Sequence, residues 1–267
     1  GGSDYGLELW RTNGTSAGTV LVKDIRSGSG SSAPRHLTNV NGTLYFRADD
    51  GVNGNELWKS DGTAAGTVLV KDIRSGNNSS YPTYLTDVNG TLYFRADDGV
   101  SGIELWKTDG TTEGTMLVKD IRSGSSSSSP NNLKYVGLRS IELQSGTLYF
   151  SANDGVNGDE LWKSDGTSVG TVLVKDINSG SFNSAPKNLT NLNGTLYFQA
   201  GNSTNGTELW KSDGTEAGTQ LVANIGPGSQ GSNPSNLTVV GNQLYFTTLT
   251  PQFGDQLYRY SENSPPT

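Results

Sequence analysis

The side chains that could do chemistry fall at repeating intervals. Arg-Ser-Gly occurs at Arg26–Gly28, Arg74–Gly76 and Arg122–Gly124, and Asn178 and Gly226 hold the corresponding places in later copies. Acidic loops alternate with these: Asp49-Asp50-Gly51-Val52-Asn53-Gly54, Asp97-Asp98-Gly99, Asn153-Asp154-Gly155, then Gly201-Asn202. Tyr81, Tyr84 and Phe182 add aromatic rings. Convergent Arg, carboxylate and amide groups beside an aromatic platform suit sugar recognition, and repeated weak sites gain avidity. Arg26, Arg74, Arg122, Asn178, Tyr81 and Phe182 are therefore the candidate ligand-binding residues. A second chemistry is Ca²⁺ binding, for which Asp50, Asn53, Asp98 and Asp154 (with Glu56 nearby) offer hard oxygens around glycines. Their spacing departs from the EF-hand pattern. In a third reading these are solvated turns, since Asp-Gly and Asn-Gly are what tight turns use. All three readings stay open at this level.

Other chemistry is thinly supplied. Cysteine is absent and His36 is the one histidine, which removes thiol nucleophiles, disulfides and Cys-based zinc together. His36 itself reads as a surface turn residue before Leu37. Carboxylates recur from copy to copy, Glu56 in five copies and Asp72 in four, whereas a glycoside-hydrolysing pair is needed at one asymmetric place. That recurrence points to architecture, such as bonding loop amides between repeats. The expectation is a non-enzymatic chain with no required cofactor. Net charge is −7 and no basic run occurs, which disfavours nucleic acid and anionic membrane as partners. No apolar stretch is long enough to insert in a membrane.

These residues hang on a repeat. Glu-Leu-Trp ends at Trp10, Trp58, Trp106, Trp162 and Trp210, at spacings of 48, 48, 56 and 48. A degenerate copy, Gln256-Leu257-Tyr258, follows. Leu-Tyr-Phe recurs between them, at Leu44–Phe46 and four later places. Each unit holds four extended segments, which in the second copy are Leu37–Val40 (a), Thr43–Ala48 (b), Glu56–Ser60 (c) and Thr67–Ile73 (d). Asn41-Gly42 joins a to b as a type I′ hairpin would, and Asp61-Gly62-Thr63 joins c to d. All links are short and antiparallel, so the d→a and b→c loops leave one end of the strands together. The Trp, Tyr and Phe of each copy are expected to fill the space between neighbouring sheets.

Four-stranded meanders at this period predict an all-β, five-bladed β-propeller in residues 1–260, with 261–267 as a tail. Blades are expected near 37–73, 85–121, 133–177 and 189–225, with a closing blade from 237–260 plus 1–25. Glu8–Arg11 and Asp255–Tyr260 compete for strand c of that blade. Eight extra residues near Gly137–Gln144 lengthen one a→b hairpin, as a tolerated surface insertion or as a docking finger for a neighbouring domain.

Glu-Leu-Trp-Lys-Ser-Asp-Gly-Thr (Glu56–Thr63, with close copies at Glu104, Glu160 and Glu208) resembles the ELWxxDGT-repeat family over essentially the whole chain. Copy one departs with Asn13 for Asp, and the last copy lacks Asp-Gly-Thr. The resemblance implies a large bacterial exported or surface-attached protein and brings no catalytic residues. The expected chain is thus an extracellular, monomeric binding or adhesion module for a glycan or surface protein. Gly1 starts in mid-repeat, so neighbouring domains of a longer chain are expected. The alternative is a structural spacer, Ca²⁺-stabilised in one version.

Overall fold

The computed structural model describes residues 5–137, 146–226, 228–250 and 254–261. These are all-β, with one 3₁₀ turn at Gly228–Gln230 and no α-helix among the described residues. The chain divides into two compact units, Gly1–Ser127 and Ser128–Thr267. In the first, β1 (Leu9–Arg11) and β2 (Val20–Lys23) form a two-stranded sheet. Two four-stranded sheets follow: β3 (Arg35–Val40), β4 (Thr43–Asp49), β5 (Asn55–Ser60), β6 (Val68–Lys71), and β7 (Thr83–Val88), β8 (Thr91–Asp97), β9 (Ile103–Thr108), β10 (Met116–Lys119). The second unit holds β11 (Asn131–Gly137), β12 (Gly146–Asn153), β13 (Asp159–Ser164), β14 (Val172–Lys175), then β15 (Lys187–Leu192), β16 (Thr195–Asn202), β17 (Gly206–Ser212), β18 (Gln220–Ala223). It ends in a three-stranded sheet, β19 (Ser235–Val240), β20 (Gln243–Thr250) and β21 (Gly254–Ser261). Every pairing is antiparallel between sequence neighbours, so the fold is a propeller-like run of repeated blades.

The turns follow the expected chemistry. Asn41 and Gly42 both take positive φ (49° and 86°), as do Asn89–Gly90 and Asn193–Gly194. In the c→d turn, Asp61 Oδ1 accepts from Thr63 N (2.8 Å) and Thr63 Oγ1 (2.7 Å). Gly66 N then donates to Thr63 Oγ1 at 3.0 Å. A Cβ at Gly66 would lie 2.1 Å from the Asp61 carboxylate, so the glycine is required for close approach.

The sheets pack face on face. In the first unit, Leu9, Val22 and Ile25 meet Phe46, Ala48 and Trp58, and Tyr45, Leu57 and Val70 meet Leu92, Phe94 and Trp106. In the second, Tyr149, Leu161 and Val174 meet Leu196, Phe198 and Trp210, and Leu209 and Tyr197 meet Leu244 and Phe246. The repeated aromatics are therefore core, as their recurrence predicts. Trp10 is the exception at 49% exposed, against 6% for Trp58, Trp106, Trp162 and Trp210. Among the described residues its strand pairs with β2 alone, without the b-strand neighbour that covers the others.

At the ends of the described chain, β1 pairs with β2, and β19, β20 and β21 form a three-stranded sheet. Strand c beside β20 is β21, paired from Gln243↔Ser261 to Thr250↔Gly254. The physical reason is aromatic: Tyr258 stacks on Phe246 at 5.7 Å and Tyr260 lies 5.4 Å from Tyr197, replacing the missing Trp. Of the extra residues near Gly137–Gln144, all but Gly137 lie outside the described residues.

Candidate functional site

The d→a and b→c loops are stitched together within each unit. Asp49 N donates to Ser32 O at 3.0 Å, Asp97 N to Ser80 O at 2.9 Å, and Gly201 N to Ser184 O at 2.9 Å. Beneath them lies the strand-c glutamate. Glu56 Oε2 accepts from Ile73 N (3.1 Å) and Ser80 Oγ (2.5 Å), and its Oε1 accepts from Ser80 N (2.8 Å). Glu160 repeats this with Ile177 and Ser184, and Glu8 with Ile25 and Ser32. The glutamate of one sheet thus grips the loop that leads to the next, as its recurrence implied. Burial pushes the Glu56 and Glu160 carboxyls up to about 7, although the serine and main-chain donors pull the other way. Lysines add to the stitching: Lys23 Nζ donates to Thr67 O and Lys71 Nζ to Thr115 O.

The candidate ligand residues separate into two kinds. Arg26 pairs with Asp49 (2.9 Å) and Arg74 with Asp97 (2.6 Å), each tying a d→a loop to a neighbouring b→c loop. Arg122 is half-buried in its loop. Asn178 is likewise engaged, donating from Nδ2 to Asn183 O and accepting at Oδ1 from Ser203 N. The aromatics remain open: Tyr81 is 57% exposed and Phe182 68%.

The candidate metal oxygens are occupied by turns. Asp50 accepts from Val52 N (2.9 Å), Asn53 N (2.8 Å) and Asn53 Nδ2 (2.7 Å), and Asp154 does the same with Val156 and Asn157. Asp98 accepts from Val100 N and Ser101 N. Burial alone would raise the Asp50 and Asp154 carboxyls, but these donors outweigh it and hold both below the usual value. Among the described residues no group of three or more His, Cys, Asp and Glu gathers to hold a metal.

A further set lies at the same loop end of the first unit, and sequence reasoning passes it over because its arginines sit inside strands. Arg35 stands directly opposite Arg47 across the β3–β4 ladder. The Arg47 guanidinium is 5.8 Å from the Tyr81 ring, and that of Arg95 is 4.8 Å from the Tyr84 ring. A cleft of about 460 Å³ between β3 and β7 is lined by His36, Leu37, Thr83, Tyr84 and Arg95, among others. His36, expected in a turn, is an exposed strand residue at φ 58°. The signal in the sequence was there: Arg47 and Arg95 take the place of Ser151, Gln199 and Thr247 in the other copies.

No family model and no curated protein matches the chain. Solved structures similar to it include a puromycin hydrolase (TM-score 0.55, 13% identity, 92% of this chain and 39% of that one). Others are a prolyl endopeptidase (0.52, 11%, 87% and 35%) and oligopeptidase B from Leishmania major (0.51, 14%, 92% and 36%). The chain spans well under half the length of each. At these identities the likeness is one of fold alone.

Proposed function

We propose that the chain is a non-enzymatic binding or adhesion module of a bacterial cell surface, taking glycans on the loop end where the d→a and b→c loops meet. The observation that carries this reading is the division of labour at that end. Recurrent carboxylates are spent internally: Glu56, Glu104, Glu160 and Glu208 are fully buried, and Asp49 and Asp97 are held in ion pairs. Rings that differ between copies, Tyr81 and Phe182, stand exposed above that rigid floor. A floor fixed by hydrogen bonds with open aromatic faces is a preorganised sugar platform. The peptidases of similar fold do not lend their activity at such identity and coverage. The ELWxxDGT resemblance supports an exported setting.

The count of five blades belongs to this proposal too. A structural spacer is the second reading, favoured by the stitching of each loop pair to the sheet before it. A glycan array probed with the intact chain, with and without millimolar Ca²⁺, separates the two. Binding of a glycan subset, weakened by Tyr81→Ala or Phe182→Ala, is expected. Silence under both conditions would leave the spacer.

A further inference from the structure

We infer that the cleft between β3 and β7 is a binding site for acidic sugars, with Arg95 meeting a uronate carboxylate, Tyr84 flanking the ring, and Arg35, Arg47 and Tyr81 beside the cleft adding positive charge and an aromatic face. This deepens the glycan reading and rests on it.

Four observations converge. The first is charge. Arg35 and Arg47 face each other across an antiparallel ladder, where like charges are destabilising. The corresponding pairs elsewhere avoid this: Thr83↔Arg95, Asn131↔Ser151, Lys187↔Gln199 and Ser235↔Thr247. Among the described residues no carboxylate forms an ion pair with Arg35 or Arg47, in a chain of net charge −7. Beyond burial, Arg47, Arg35 and Arg95 all press on His36 and hold its imidazole below its ordinary pKa, so the local field is positive.

The second is an unsatisfied donor. Arg47 Nε is buried without a hydrogen-bond partner, which is costly unless an acceptor arrives. The third is backbone strain. Tyr81 and Tyr84 hold positive φ of 49° and 57°. In the other copies these two positions carry Ala33, Ser129, Ala185 and Asn233, and His36, Asn132, Asn188 and Asn236. Asn adopts this conformation readily, whereas a bulky tyrosine does not. Two such tyrosines in one repeat mark a place where side-chain identity overrides backbone preference. The fourth is orientation. Arg95 Nε donates to Thr83 Oγ1 at 2.8 Å while its guanidinium stacks on Tyr84, which fixes the plane it offers. A planar, oriented guanidinium matches a carboxylate.

The test is calorimetric titration of the intact chain with a galacturonate trisaccharide, its neutral galactose counterpart, and inorganic phosphate. The uronate should bind in preference to the neutral sugar, more weakly as salt rises. Arg47→Gln and Arg95→Gln should each weaken it about tenfold or more, and Tyr84→Ala should weaken it while phosphate binding persists. Arg11→Gln, at an exposed arginine outside the cleft, should leave it unchanged. Arg47→Gln relieves the like-charge pair, so the unliganded variant should melt no lower than the parent, which separates lost recognition from lost fold. Equal binding of both sugars, untouched by Arg47→Gln, would overturn the acidic-sugar site and leave the glycan reading standing. Phosphate binding alone would reduce the cleft to an anion site and overturn the proposal. Silence towards every saccharide, here and on the array, would remove both.

Discussion

Replacing Glu56 by Gln should alter how stability depends on pH. Glu56 is fully buried, and desolvation lifts its carboxyl from 4.5 to about 7 against the donors of Ser80, Ile73 and Arg74. A group whose folded pKa is raised contributes stability that is complete below the unfolded value and is lost as pH climbs through the folded one. The window here runs from 4.5 to about 7. At about 1.36 kcal/mol per unit, the full swing is about 3 kcal/mol. Gln has no proton to lose. The stability of the parent relative to Glu56→Gln should therefore fall by about that amount between pH of about 4 and about 8. Urea denaturation of both chains across that range measures it, and the difference cancels the titration of every other group. Parallel curves, or a difference that grows with pH, would refute the reasoning. The carboxylate would then be ionised throughout, held by these donors.

Trp58→Ala should cost about 3–5 kcal/mol in denaturant unfolding, while Trp10→Ala, on a half-exposed ring, should cost well under half as much. Equal losses would mean that Trp10 is covered in solution. Gly66→Ala drives a Cβ onto the Asp61 carboxylate, so the c→d turn must open; the expected loss is about 1–3 kcal/mol, readable as a lower melting temperature. Arg26→Gln removes a part-exposed ion pair and should change stability by less than about 1 kcal/mol. A larger loss on chemical denaturation would show that the pair organises its loop.

Strand order, both hairpin chemistries and the aromatic core were legible in the sequence because each rests on local rules. Asn41-Gly42 needs positive φ twice, Glu-Leu-Trp alternates faces along a strand, and Asp61 caps its own turn. The buried role of Glu56 was legible too, since a group used in every copy is building material. Less was legible where partners lie far apart in sequence. Nothing local says that Arg26 and Arg74 are paired to Asp49 and Asp97. Arg47 and Arg95 looked like ordinary strand residues, and only the fold puts Tyr81 and Tyr84 beside them. The pairing of β21 with β20 comes with ring packing of Tyr258 on Phe246 and of Tyr260 beside Tyr197, which no pattern of strand residues encodes.

The glutamate latch also sets where the chain tolerates a change of length. From the strand-c glutamate to its latch serine the interval is 24 residues in four copies, Glu8 to Ser32, Glu56 to Ser80, Glu160 to Ser184 and Glu208 to Ser232, and in the sequence Ser128 follows Glu104 by the same interval. One residue more or less within such an interval would carry the serine away from its carboxylate and strand a buried acid. From that serine to the next glutamate nothing is clamped in this way. The one departure from the 48-residue period, the extra residues near Gly137–Gln144, falls between Ser128 and Glu160, in the unclamped half. Each repeat is thus half ruler and half slack. Insertions, tags or grafted loops belong in the slack.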